Sequence, residues 1–170
     1  VKMGKSLGNF VTLKEAFARY SPLAVRFFVL TSHYRSPLDF SDEALAAATK
    51  GLDRLHTAVK LLRDQLPAAG EAEGEPDAEV MQVLEAHRAR FHEAMDDDFN
   101  TALALGVLFE LTKETNAWLH SDKEFSAATL KAIDSVYQEL AGDVLGLLPA
   151  DFAGGEAGAD ITEPLIELLI

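Results

Sequence analysis

Apolar residues between positions 45 and 66 recur at alternating spacings of three and four, the most regular pattern in the chain. They are Leu45, Ala48, Leu52, Leu55, Val59, Leu62 and Leu66. This spacing places them on one side of an α-helix, which predicts a long helix packed at a shallow angle against a neighbouring helix. Ser41 precedes two acidic residues, a sequence typical of a capped helix start.

Two shorter helices are predicted before this one. Thr12 and Glu15 have the spacing of a capping box, which predicts a helix over about residues 13–20. The dipeptide Ser21-Pro22 predicts a second helix start. The nearly wholly apolar segment that follows, up to residue 32, indicates that this second helix is buried.

Three more helices are predicted further along, over about residues 77–95, 100–118 and 125–144. The polar, glycine-containing segment 67–76 is predicted to be the hairpin connection between two antiparallel helices. No long stretch alternates between apolar and polar residues as a half-buried strand does. The sequence therefore predicts an all-α fold, an antiparallel helical bundle preceded by a short irregular N-terminal segment.

Changes in composition divide the chain into three parts. Residues 1–40 form the irregular N-terminal segment, and residues 41–148 form the helical bundle. Residues 149–170 are a linker rich in glycine and acidic residues, followed by the start of a further C-terminal region. The apolar tail of that region and the absence of an initiator methionine indicate a piece of a longer protein.

Composition argues against several classes of protein. The chain contains no cysteine, which excludes disulfides and thiolate zinc sites, and its five histidines show no paired ligand spacing, so we predict no metal site. The run Asp96-Asp97-Asp98 is predicted to be a turn in which one aspartate caps the next helix, in preference to a magnesium site. There is no signal peptide and no apolar run of about 18 residues, which predicts a soluble, cytoplasmic protein without a membrane span.

Charge is distributed unevenly along the chain. Residues 1–63 carry ten basic and five acidic residues, whereas residues 64–170 carry five basic and 23 acidic residues. The net charge of −13 thus combines +5 in the first part with −18 in the second. This asymmetry suggests a basic surface for a polyanion, and a solvated mosaic of charges is the alternative that composition leaves open.

The first residues are the strongest candidates for chemistry. Lys2 and Lys5 are separated by Met3-Gly4 and followed by Ser6, and they form a cationic loop that leads directly into a helix start. Ammonium groups on a mobile loop can stabilise negative charge that develops on a polyphosphate in a transition state. Solvated lysines at a frayed terminus are the alternative.

Three segments resemble bacterial cysteinyl-tRNA synthetases, a family of class I aminoacyl-tRNA synthetases, and they occur in the same order. Residues 2–10, KMGKSLGNF, are similar to the class I signature KMSKS and its continuation. Residues 26–41 and 91–101 are similar to the segments that follow the signature in that family. An ordered set of this kind is far more specific than a single lysine-rich pentapeptide.

The resemblance implies a parent enzyme, expected to be a monomer, that activates cysteine with ATP and transfers it to the 3′ end of tRNA-Cys. It implies that Lys5, assisted by Lys2, stabilises the departing pyrophosphate, and that Ser6 belongs to the same ATP-binding loop. Gly4 stands where the family usually has serine, which removes a hydroxyl and adds backbone freedom. The family's zinc, nucleotide-binding sheet and second signature would lie before Val1, so this chain alone is expected to bind no zinc and to be inactive.

Arg35 and Tyr34 are candidates for contact with the tRNA. An arginine beside an aromatic residue is a common pairing for phosphate and for base or ribose. The alternative is a proline-stopped connection over residues 33–41 whose aromatic residues, Tyr34 and Phe40, pack on the bundle.

Lys50 and Arg54 form a second candidate group, together with Lys60 and Arg63. They lie largely off the apolar side of the predicted long helix and are expected to contact phosphates along it.

Three functions remain open at this point. The first is the tRNA-binding C-terminal part of a cysteinyl-tRNA synthetase, which the resemblance favours. The second is the same region of a related ligase that joins cysteine to an amino sugar in mycothiol synthesis. The third is a helical interaction module without nucleotide chemistry.

Overall fold

The computed structural model describes residues 12–66 and 74–149, and all regular structure in these ranges is helical. The helices are α1 (Leu13–Phe17), α2 (Pro22–Leu30), α3 (Asp42–Asp64), α4 (Ala78–Asp96), α5 (Thr101–Leu119) and α6 (Ala127–Tyr137), and α6 continues as a π-helix over Gln138–Val144. The prediction of an all-α fold is confirmed, although α1 and α2 are shorter than predicted. None of these helices is long and apolar enough to cross a membrane.

Side-chain caps explain where the helices begin. Thr12 Oγ1 accepts a hydrogen bond from the Glu15 amide at 3.2 Å, and the Glu15 carboxylate accepts one from the Thr12 amide at 2.7 Å, so the predicted capping box is present. Ser21 and Ser41 cap α2 and α3 as predicted. The predicted aspartate cap of α5 is wrong, because Asn100 occupies the cap position and its side-chain oxygen accepts an amide hydrogen bond of 3.1 Å from the first turn.

The apolar side of α3 is buried, as its spacing predicts. Every apolar residue of the pattern from Leu45 to Leu62 is at most 5 % exposed, and Leu66 is partly buried. α3 packs mainly against α2, α5 and α6, whereas α4 packs mainly against α5 and α6. α3 and α4 are therefore not direct neighbours, as a packed hairpin would require, and residues 67–73 of the predicted hairpin connection lie outside the described residues.

α2 joins the N-terminal segment to the bundle. Its Phe27 ring meets the Phe109 ring of α5 edge to face, with ring centres 6.0 Å apart. Gly51 of α3 permits this close approach, because a Cβ at residue 51 would lie 3.1 Å from the Phe27 ring. One hydrophobic core therefore includes residues on both sides of position 41, where the helical bundle was predicted to begin.

The division of the chain into segments 1–40, 41–148 and 149–170 stays a prediction, and residues 150–170 lie outside the described ranges.

The hydroxyl of Tyr137 finds its hydrogen-bond partner inside the bundle. Tyr137 is fully buried, and its hydroxyl donates a hydrogen bond of 3.0 Å to Thr115 Oγ1 of α5. This bond satisfies the hydroxyl inside the bundle, so contact with water is not needed. Val144, at the end of the π-helical segment, is 42 % exposed.

Candidate nucleic-acid interface

The residues predicted to act on ATP, Lys5, Lys2 and Ser6, lie outside the described residues. Their roles therefore stay predictions. The residues predicted to contact RNA lie on α3 and on the loop that precedes it, and all four of them are exposed.

The loop between α2 and α3 presents Tyr34 and Arg35 to solvent in a defined arrangement. Tyr34 is 61 % exposed, and the Arg35 side chain is 68 % exposed. The Tyr34 hydroxyl donates a hydrogen bond of 2.7 Å to Asp98 Oδ1, and Arg35 Nε lies 3.1 Å from Asp98 Oδ2. Arg35 Nε also donates to the Tyr34 hydroxyl at 2.8 Å, and the guanidinium lies 5.3 Å from the centre of the Tyr34 ring. One carboxylate thus holds two exposed side chains together.

His33 completes this group, which we call the Asp98 cluster: His33, Tyr34, Arg35 and Asp98. The His33 ring stacks on the Tyr34 ring, with centres 4.9 Å apart and planes inclined by 25°, and His33 Nε2 lies 3.8 Å from Asp98 Oδ2. The hydrogen bond to Asp98 raises the pKa of the Tyr34 hydroxyl above its usual value. The hydroxyl is therefore a neutral hydrogen-bond donor at physiological pH.

Asp98 belongs to the turn between α4 and α5, whose backbone is unusual. Asp98 and Phe99 have φ angles of +55° and +53°, in the left-handed region that residues other than glycine rarely adopt. The Phe99 amide donates to the Met95 carbonyl and the Asn100 amide to the Ala94 carbonyl, each at 3.0 Å, and these bonds close the end of α4. The Phe99 side chain is 66 % exposed, so core packing does not explain its position.

Further contacts hold the loop and the turn in place. Thr101 Oγ1 donates a hydrogen bond of 2.9 Å to the Leu30 carbonyl, which ties the start of α5 to the end of α2. At the other end of the loop, the Phe40 ring meets the Phe28 ring of α2 edge to face at 5.6 Å. The expectation that the aromatic residues of the loop pack on the bundle therefore holds for Phe40, whereas Tyr34 stays exposed.

Lys50 and Arg54 lie one turn apart on the outer side of α3, and both are exposed. The Arg54 guanidinium lies 5.5 Å from the centre of the Phe109 ring, within the range of a cation–π contact. Arg54 also borders an open groove of about 540 Å³ between α3 and α5, which Thr31 at the end of α2 lines as well. Arg63 was predicted to contact phosphate together with Lys50 and Arg54. Its Nε instead donates a 2.6 Å hydrogen bond to Asp134 of α6, so its charge is directed at the bundle.

The aspartate run between α4 and α5 divides into residues with different surroundings. Asp98 carries the ion pair with Arg35, whereas Asp96 and Asp97 are exposed and take part in no ion pair among residues 12–66 and 74–149. In the same ranges, no three histidine, aspartate or glutamate side chains lie close enough together to hold a metal ion.

Two protein families match separate parts of the chain. The tRNA synthetases class I (C) catalytic domain matches residues 1–50, and the DALR domain matches residues 90–149. The Asp98 cluster joins these two segments, since its loop residues lie in the first match and Asp98 lies in the second.

Curated relatives align with nearly the whole chain. A cysteine–tRNA ligase of Heliobacterium modesticaldum is 46 % identical over 178 residues, which cover 99 % of this chain and 36 % of the relative. A cysteine–tRNA ligase of Thioalkalivibrio sulfidiphilus is 47 % identical over 173 residues, which cover 99 % of this chain and 34 % of the relative. A third, from Thermococcus onnurineus, is 40 % identical over 172 residues, which cover 99 % of this chain and 35 % of the relative. The chain corresponds to the C-terminal part of cysteine–tRNA ligases.

This relationship confirms the resemblance seen in the sequence and favours the cysteine–tRNA ligase prediction over the two alternatives. The chain spans about a third of the length of the curated cysteine–tRNA ligases that it matches, 36 % and 34 % for the first two.

Sequence reasoning missed the link between the loop and Asp98. Arg35 and Tyr34 lie 63 and 64 residues before Asp98 in the sequence, and no local pattern connects them to it. The one available signal was a turn between two helices that contains three aspartates and no glycine. Aspartate is among the few residues that accept the left-handed backbone of such a turn.

Proposed function

We propose that the chain is the tRNA-binding C-terminal part of a cysteine–tRNA ligase. The complete enzyme activates cysteine with ATP and transfers it to tRNA-Cys, acting as a cytoplasmic monomer. The observation that carries the proposal is that a class I catalytic segment over residues 1–50 and a DALR domain over residues 90–149 follow one another in this order. The continuous core of α2 and the bundle supports a fixed relation between the described portions of these two segments.

In this proposal the N-terminal loop carries the catalytic cations. Formation of an adenylate releases pyrophosphate, and negative charge grows on the leaving group in the transition state. Lys5, assisted by Lys2, stabilises this charge, and Ser6 offers a hydroxyl to a phosphate oxygen of bound ATP. Charge stabilisation that is strongest in the transition state raises the rate without equally tightening ground-state binding.

The exposed cations of the described residues contact the tRNA. Arg35 and Tyr34 offer a guanidinium and an aromatic face on one loop, and Lys50 and Arg54 offer positive charge on the outer side of α3. Their exposure supports this role, because side chains that are already buried could not reach an RNA backbone. The acidic excess of residues 64–170 keeps the rest of the surface unfavourable for phosphate.

The catalytic role of the loop is tested by changing Lys5 to alanine in the complete enzyme. We expect cysteine-dependent exchange between ATP and pyrophosphate to slow by at least about tenfold, a loss of about 1.4 kcal/mol of transition-state stabilisation. Lys14→Ala is the matched control, because Lys14 is an exposed lysine of α1 outside the motif. A smaller effect of Lys5→Ala, or an equal effect of the control, would contradict the role of Lys5.

The choice of substrate is tested by aminoacylation with the unmodified complete enzyme. Charging of tRNA-Cys with cysteine is the expected result. An enzyme that ignores tRNA and joins cysteine to an amino sugar would overturn the proposal and support the mycothiol alternative.

A further inference from the structure

We propose that the loop His33–Arg35 and two residues of the turn after α4, Asp98 and Phe99, form a single RNA-contact surface in the complete enzyme. In this surface Asp98 positions Arg35 and Tyr34, and the Phe99 ring offers a face on which an unstacked base lies. The inference rests on the proposed tRNA-binding function, and it adds Asp98 and Phe99 to the residues proposed to act in tRNA binding.

Asp98 limits the conformational freedom of the exposed Arg35 side chain. A solvent-exposed arginine samples many rotamers, and binding must restrict them at an entropic cost. Asp98 already restricts Arg35, through Nε at 3.1 Å from Oδ2 and Nη2 at 3.3 Å from Oδ1. A guanidinium has five N–H donors, and these contacts leave several of them for a phosphate on a side chain that is 68 % exposed.

The backbone of the turn between α4 and α5 is strained at the two residues that the surface needs. Two consecutive residues other than glycine, Asp98 and Phe99, adopt the left-handed conformation, which glycine would adopt at lower cost. Strained residues of this kind occur preferentially at functional sites, where a particular side chain is needed in that place. Here the strain sets a carboxylate against Tyr34 and Arg35, and it directs a phenyl ring into solvent at 66 % exposure.

The exposed side chains of this surface suit a nucleic acid as the partner. Exposed aromatic rings beside arginine are the arrangement with which proteins bind unstacked nucleotides, since every base has a face that stacks on a ring. Tyr34, Arg35 and Phe99 supply two exposed rings and a guanidinium. The contacts of Asp98 with Tyr34 and Arg35 hold the loop at a fixed distance from the turn that carries Phe99. The chemistry therefore fits an unstacked base and its neighbouring phosphate.

Charge makes the role of Asp98 sharply testable. A carboxylate that merely stood near the RNA would repel phosphate, so its neutralisation would tighten tRNA binding. If the carboxylate instead positions Arg35, its neutralisation should weaken tRNA binding. Asp98→Asn is the appropriate variant, because asparagine has the same shape, accepts the left-handed backbone and can still accept the Tyr34 hydrogen bond.

The experiment compares aminoacylation of tRNA-Cys by the wild-type complete enzyme and by its variants. For Asp98→Asn we expect the KM for tRNA to rise at least about threefold with little change in kcat. Asp97→Asn is the control, because Asp97 is exposed and has no ion pair among the described residues, so its KM for tRNA should stay at the wild-type value or fall. In an Arg35→Ala background, Asp98→Asn should add nothing, since Asp98 acts through Arg35.

Phe99→Gly separates binding from folding. Glycine relieves the left-handed strain, so the melting temperature should stay the same or rise. Loss of the ring should nevertheless raise the KM for tRNA by about fivefold or more, the low end of what one base-stacking contact contributes. Exchange between ATP and pyrophosphate, which needs no tRNA, should be unchanged.

Three results would overturn the inference. One is an unchanged KM for tRNA in both Asp98→Asn and Phe99→Gly. Another is tighter tRNA binding by Asp98→Asn, and the third is a loss of pyrophosphate exchange in Phe99→Gly, which would assign the ring to a contact within the enzyme. If the wild-type enzyme did not charge tRNA-Cys at all, the proposed function itself would fail, so the two failures are distinguishable.

Discussion

Replacing Gly146 with alanine is expected to weaken the contact between α2 and the C-terminal end of the bundle. Gly146 has a φ angle of +62°, and a Cβ there would lie 2.8 Å from Arg26 Nη2. Arg26 Nε donates a hydrogen bond of 2.6 Å to the Leu145 carbonyl. Residue 146 must therefore adopt a left-handed backbone and also leave room for the Arg26 guanidinium. This guanidinium links the segment that matches the catalytic domain to the segment that matches the DALR domain.

The expected loss has two parts. A residue other than glycine in the left-handed region costs about 1–2 kcal/mol. Displacing the guanidinium from the Leu145 carbonyl loses a hydrogen bond from a charged group, about 1.5 kcal/mol at the lower end of the usual range, which suits the partly exposed position of Arg26. Gly146→Ala should therefore lower the free energy of unfolding by about 2.5–3.5 kcal/mol.

A double-mutant cycle separates the two parts. In an Arg26→Ala background there is no guanidinium to displace, so Gly146→Ala should cost only the backbone part, about 1–2 kcal/mol. Urea titration of the 170-residue chain, followed by circular dichroism, measures all four free energies. An equal effect of Gly146→Ala in both backgrounds would refute the close contact with Arg26, and no effect in either would also refute the backbone argument.

Two further predictions concern the bundle itself. Tyr137→Phe leaves the buried Thr115 hydroxyl without its partner at 3.0 Å, so urea titration should show a loss of about 1–3 kcal/mol, and an unchanged midpoint would contradict this. Asp77 caps α4, and its hydrogen bond from Lys123, at 2.7 Å, lowers the pKa of this carboxyl. A group whose pKa is lowered by folding stabilises the folded state above its unfolded pKa of about 3.9, and this contribution is lost as the pH falls through the folded pKa. Asp77→Asn keeps the cap but loses the charge, so wild type should be the more stable at pH 7, and the difference should shrink below about pH 4. A difference that stays constant down to about pH 2 would count against the pairing with Lys123.

The sequence alone determined the parts of this structure that depend on near neighbours. The capping box of Thr12 and Glu15 and the serine caps of α2 and α3 need only residues three positions apart. The buried side of α3 follows from its repeat for the same reason. The order of the family segments was also readable, because a motif such as that of Lys2, Lys5 and Ser6 is itself a local pattern.

Only the tertiary structure decided which helices become neighbours and which charges meet. α4 lies against α5 and not directly against α3, because α2 and α5 share the apolar side of α3, and no local spacing encodes that competition. Asp98 looked like a helix cap in the sequence, yet its carboxylate holds Tyr34 and Arg35 from 64 and 63 residues away. Arg63 looked like part of a basic surface and instead contacts α6. Such contacts depend on the relative placement of helices, which the burial of the whole core sets and the local sequence does not.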